Sequence, residues 1–117
     1  MIYTELPWNL RFFRQDRGDE PVREFLRRLP KAARMEAGAA LTDLEESGPK
    51  LRRPGADYLR DGIYELRFSS ERAEYRILYF FDGSEVVLTN AFVKKTKRVP
   101  KEEIDRAIRR HGQWQKG

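Results

Sequence analysis

The chain has no cysteine. That excludes a disulfide-stapled scaffold, a cysteine nucleophile and any thiolate metal site. It has one histidine, His111, which excludes a multi-histidine metal centre and argues against a Ser-His-Asp triad. Long apolar runs are missing too: the longest, Ile77 to Phe81, has five residues. A bilayer-spanning helix needs ~20, so no membrane association is expected. The opening stretch MIYTELPWNLRFFRQ alternates apolar and polar residues and does not read as a secretory signal. No internal repeat or low-complexity tract is present. The expectation is one small, basic, cytoplasmic domain over residues 1–117, with no cofactor called for.

What the sequence does have is charge, unevenly placed. Residues 1–90 hold 15 basic and 16 acidic side chains. Residues 91–110 hold Lys94, Lys95, Lys97, Arg98, Lys101, Arg106, Arg109 and Arg110 against Glu102, Glu103 and Asp105. The net +5 of the chain therefore belongs to its C-terminal segment. Concentrated positive charge attracts polyanions, nucleic acid first among them. A solvated helix face is the plainer reading of the same residues.

Periodicity divides the chain into elements. A strand is expected around Trp8 to Arg14. Pro21 then opens a helix whose stripe is Val22, Phe25, Leu26 and Leu29. Pro30 opens a second, with Ala33, Ala37, Ala40, Leu41 and Leu44, ended by Gly48-Pro49. Residues 49–62 carry two prolines and two glycines and read as a connecting loop. The period then switches to that of strands: Ile63 to Phe68, Tyr75 to Phe81 and Glu85 to Phe92. Ser69 to Glu74 reads as a longer hairpin loop, and Asp82-Gly83 as a two-residue type I′ turn. Pro100 opens a last helix with Ile104, Ala107 and Ile108 inward, leaving His111 just beyond it. The order is β-α-α-β-β-β-α. The fold class is α+β, an antiparallel sheet with a helical hairpin on one face and a C-terminal helix.

Four segments carry a family likeness: Leu59-Arg60-Asp61-Gly62-Ile63-Tyr64-Glu65-Leu66-Arg67, Tyr75-Arg76-Ile77-Leu78-Tyr79, Phe92-Val93-Lys94-Lys95-Thr96, and Pro100 with Glu102-Glu103-Ile104 and Ala107. In this order and spacing the chain resembles the RelE/HigB-type toxins of bacterial toxin–antitoxin pairs, in their phage-derived HigB-like branch. The likeness covers residues 59–110 and extends more loosely from Pro21 to Leu26. It departs from the family at Val99, where a helix-capping residue is common. The resemblance implies a RelE-like fold and a metal-independent, ribosome-dependent mRNA endonuclease that inhibits translation. The 2′-hydroxyl attacks the adjacent phosphate in the ribosomal A site. The implied partner is a cognate antitoxin, usually a helix-turn-helix DNA-binding protein. The resemblance leaves homo-oligomer formation open. Two other functions compete: a non-catalytic poison of DNA gyrase from the same superfamily, and an inactive RNA-binding relic.

Such a reaction needs a base, an acid and cations around the phosphate. Strand alternation puts Tyr64, Leu66 and Phe68 on one face and Glu65 and Arg67 on the other. Glu65 is the default base. Arg76 interrupts an apolar strand, so it either pairs with Glu65 or Glu74 or offers its fork to a phosphate. Lys94 and Lys95 follow the last strand, as phosphate ligands and proton donor or as a source of long-range attraction. Glu65, Arg67, Arg76, Lys94 and Lys95 are thus the catalytic candidates. Tyr64, Arg60, Lys97 and Arg98 are candidate RNA contacts, Tyr64 being equally readable as a core aromatic. His111 reads as a surface histidine or a proton carrier, and Trp114 as a tail anchor or partner contact. Arg52 and Arg53, diluted by Asp57 and Asp61, form a second basic rim with Arg60.

Overall fold

In the computed structural model, which describes residues 6–117, the elements are β1 (Asn9–Phe12), α1 (Pro21–Arg28), α2 (Lys31–Ser47), β2 (Ala56–Arg60), β3 (Ile63–Ser70), β4 (Ala73–Asp82), β5 (Glu85–Lys94) and α3 (Lys101–Lys116). A 3₁₀ turn, Gly48–Lys50, follows α2. The first five residues, part of the alternating opening stretch, lie outside the described residues. Among the described residues no helix is long and apolar enough to cross a membrane.

The α+β class and the helical hairpin are as the periodicity predicts. Several features differ. The segment expected to be a loop contains β2, so the sheet has five strands in the order β1-β5-β4-β3-β2. The sheet is mixed, because β1 runs parallel to β5 while the other pairs are antiparallel. A parallel pair needs a crossover connection, and α1 begins one here by passing over the sheet. Finally, α3 continues through Lys116 and includes His111, whose ring stacks on Phe80 at 4.1 Å.

The turns explain the strands. Asp61 and Gly62 both have positive φ, at 52° and 83°, and Arg60 pairs with Ile63. This is the type I′ hairpin chemistry expected of an Asp-Gly pair, at the earlier of the chain's two such pairs. At the later one Asp82 pairs with Glu85, so the loop is Gly83-Ser84 and not Asp82-Gly83. Gly83 alone takes positive φ there, the requirement of a II′ turn. The β3–β4 loop is also short: Ser70 pairs with Ala73, with Glu71 at φ 55°.

Both sheet faces are covered. Leu66, Ile77 and Leu88 are buried beneath α1 and α2 with Val22 and Leu44, and Phe25, Leu26 and Leu41 pack around them half-buried. On the other face Ile63, Leu78, Phe80 and Val87 are buried against Ala107 of α3, with Ile104 and Trp114 at the margin. Burying one Leu-sized side chain contributes roughly 1.5–3 kcal/mol. The second core is therefore enough to seat α3. Polar bonds fix its two ends. Asn90 on β5 donates to the Glu103 carbonyl and carboxylate at 3.1 and 2.9 Å, and Trp114 Nε1 donates to Asp82 at 2.7 Å.

A basic cleft between the sheet and the last helix

The α3 helix covers part of its sheet face and leaves the β2–β3 end open. There the strands bring polar side chains together in two rows. Asp57 on β2 is in register with Glu65 on β3. One step along the same face, Arg67 on β3 is in register with Arg76 on β4. Like charges face each other within each row, and opposite charges meet between rows, so each row offsets the other.

Arg76 and Glu65 form a buried ion pair. Arg76 Nε donates to Glu65 Oε1 at 2.9 Å, with the side chains 3% and 8% exposed. Arg76 Nη1 donates to its neighbour's carbonyl, Tyr75 O, at 2.9 Å and reaches Glu74 at 3.5 Å. Nη2 of Arg76 and Oε2 of Glu65 take part in none of these bonds. At the outer edge Arg53 pairs with Asp57 at 2.7 Å. That bond, the Tyr58 N–H and the charge of Arg67 hold the Asp57 carboxyl below its ordinary pKa.

These groups line an open cleft of about 340 Å³. Six cations line it: Arg53, Arg67, Arg76, Lys94, Lys97 and Arg98. Asp57 and Glu65 are its carboxylates, with Leu59, Val99 and Ile104 as apolar wall. Both carboxylates are already paired with Arg53 and Arg76. Arg67, Lys94, Lys97 and Arg98 make no ion pair among the described residues, so the cleft keeps a strong positive excess.

Lys94 enters the cleft because of a bulge. Leu78 on β4 pairs with Asn90 but Tyr79 pairs with Leu88, leaving Thr89 as an extra residue. An inserted residue reverses the alternation beyond it. Val86 and Leu88 face the hairpin core, yet Lys94 projects to the opposite face. The bulge is pinned on both sides. Thr89 Oγ1 donates to the Leu78 carbonyl at 3.1 Å, and Arg110 donates to the Thr89 carbonyl at 2.8 Å.

The cleft therefore gathers Glu65, Arg67, Arg76, Lys94, Lys97 and Arg98 from the residues singled out in the sequence. Lys95 is exposed and does not line it. Tyr64 lies on the other sheet face, 5.5 Å from Tyr79 in a stacked pair and edge-on to Tyr58 and Phe81 at 5.0 and 5.2 Å. Arg60 lies in an adjoining groove, bonded to Asp61 at 2.8 Å and Asp105 at 2.7 Å. His111 and Trp114 pack in the α3 core rather than in the cleft. Sequence reasoning gave Arg53 and Asp57 no part in a central site. The Asp61-Gly62 pair was the signal that could have placed them, since it registers β2 against β3. Among the described residues no cluster of three His, Asp or Glu is placed to hold a metal ion.

Comparison with protein families places this fold and cleft in context. The model of the phage-derived Gp49-like proteins matches residues 24–111. The chain belongs to that family, and the matched stretch includes the four sequence segments and every charged residue of the cleft. A comparison with curated proteins finds no match.

Proposed function

We propose that this chain is the toxin half of a toxin–antitoxin pair and cleaves mRNA in the ribosomal A site without a metal. Its silencing partner is then a helix-turn-helix antitoxin, and its place of action the cytoplasm. One observation carries the reading: the Arg76-paired carboxylate of Glu65 meets four cations that make no ion pair among the described residues, in one cleft on the face where the RelE/HigB-like sequence segments converge. Membership of the Gp49-like family supports it.

The chemistry assigns the roles. Cleavage by the 2′-hydroxyl forms a bond from O2′ to phosphorus and breaks the bond to the 5′ oxygen, giving a cyclic phosphate and a 5′-hydroxyl. Negative charge grows on the phosphate oxygens, where Arg67 and Lys94 neutralise it. Glu65, kept close to Arg76, accepts the 2′-hydroxyl proton through Oε2. Lys94 donates to the leaving oxygen. Lys97 and Arg98 at the mouth hold the flanking backbone by charge.

The alternative is a toxin that binds and poisons gyrase without cleaving. It draws on the burial of the Arg76–Glu65 pair, which is what a purely structural ion pair also looks like. Inducible expression with mapping of mRNA 5′ ends separates the two. New ends inside translated codons support cleavage. Intact mRNA with a supercoiling defect supports the poison.

A further inference from the structure

Beside the cleft lies a second open groove, of about 880 Å³, that shares Arg98, Val99 and Ile104 with it. The two adjoin at these residues, but their chemistry differs. The cleft has cations that make no ion pair among the described residues. The groove has an apolar floor, Val99, Pro100 and Ile104, and its charges are mostly spent on one another. Asp105 accepts from Arg60 at 2.7 Å and from Lys101 at 2.8 Å. Arg60 is held again by Asp61 at 2.8 Å.

Two carboxylates gripping one guanidinium fix its plane. The Arg60 side chain nevertheless stays 42% exposed, and it lines the groove. A flat guanidinium held by two carboxylates beside an apolar wall is a surface on which a nucleobase can stack.

We propose that this groove is a nucleobase subsite, in which the base of the nucleotide next to the scissile phosphate stacks on the Arg60 guanidinium. The proposal rests on reading the cleft as the phosphate-handling centre. It adds a division of labour, phosphate in the charged cleft and base in the adjoining apolar groove. Because Asp105 is already engaged by two cations, it is a poor reader of base edges. The subsite should therefore accept any base, with a preference set by stacking strength.

The test uses the full chain and single-stranded pentaribonucleotides with a 2′-deoxy central sugar to block cleavage. Each carries 2-aminopurine at one position and a distant fluorescein for anisotropy. Stacking quenches 2-aminopurine. One position should be quenched on binding the wild type. Arg60→Ala should lose that quench and weaken binding about 5- to 150-fold, the equivalent of ~1–3 kcal/mol for one stacked base. Arg60→Lys keeps the charge without the plane and should not restore the quench; Lys95→Ala should leave it intact. Quenching retained by Arg60→Lys overturns the stacking assignment. Binding that depends on Arg67 and Lys94 with no position quenched also overturns it, while leaving the phosphate cleft standing. Binding that ignores Arg67→Ala and Lys94→Ala overturns the cleft reading and the subsite with it, and no binding to the free strand overturns the subsite alone.

Discussion

The Thr89 hydroxyl donates to the Leu78 carbonyl at 3.1 Å, and the bulge it holds decides which of two adjacent lysines faces the cleft. Without the extra residue, strand alternation would send Lys94 to the hairpin side and Lys95 to the cleft side. Lys94→Ala should therefore relieve growth arrest while Lys95→Ala does not. Arg67→Ala should match Lys94→Ala. Removing one electrostatic contact to a transition state costs about 10²–10³ in rate. Toxicity on induction, with circular dichroism to confirm folding, reads this out. Equal effects of the two lysines would mean a diffuse basic patch and no defined site.

Arg76 should behave differently from Arg67. Its removal leaves Glu65 buried without its partner, and breaking a buried pair on one side typically costs ~3–5 kcal/mol. Arg76→Ala is thus expected to lower the urea midpoint sharply as well as abolish toxicity. The double change Arg76→Met with Glu65→Leu should recover much of the stability and none of the toxicity. If Arg76→Ala alone is as stable as wild type, the pair is not what holds these strands in register.

Gly48 tests the joint between the helical hairpin and the sheet. It takes φ 51°, and a Cβ there would lie 2.3 Å from the Trp8 ring. Trp8 itself packs edge-on to Phe81 at 5.3 Å. With ψ at −128° this backbone lies outside the left-handed helical well, in a sparsely populated region that costs a non-glycine residue about 1–3 kcal/mol, and the indole must also move. Gly48→Ala should lower the denaturation midpoint by more than that backbone cost alone, whereas Gly38→Ala, which meets nothing within 4 Å, should not lower it.

The anchoring of Arg60 gives a pH dependence. Hydrogen bonds from Lys101 and then Arg60 hold the Asp105 carboxyl below its ordinary pKa. A depressed folded pKa stabilises above the unfolded value, ~3.9, and that contribution is lost as pH falls through the folded value. The stability difference between wild type and Asp105→Asn should be present at pH 6 and shrink below about pH 4. A difference that persists undiminished at pH 2 would mean that the bonds to Arg60 and Lys101 do not set it.

Much of this architecture is legible in the residues, because its signals are local. The stripes of α1 and α2, the apolar β4 and the alternation that separates Tyr64 from Glu65 each follow from a period within one element. The Arg76–Glu65 pairing was one of two readings that the sequence left open. What escaped is what depends on pairing between elements. The polar edge strand β2 hid behind Pro54 and Gly55, so Asp57 and Arg53 could not be registered against Glu65. The parallel β1 needs a partner that lies more than seventy residues away in the chain. The Thr89 bulge leaves no mark in composition, and it is what turns Lys94 rather than Lys95 toward the cleft.

Purified protein added to ribosomes programmed with a defined mRNA, followed by primer extension, tests the central claim most directly. The account predicts new 5′ ends within the A-site codon, dependent on the ribosome and lost in the folded Arg67→Ala and Lys94→Ala variants. Intact mRNA on those ribosomes, with the same preparation halting supercoiling by purified gyrase, would contradict it.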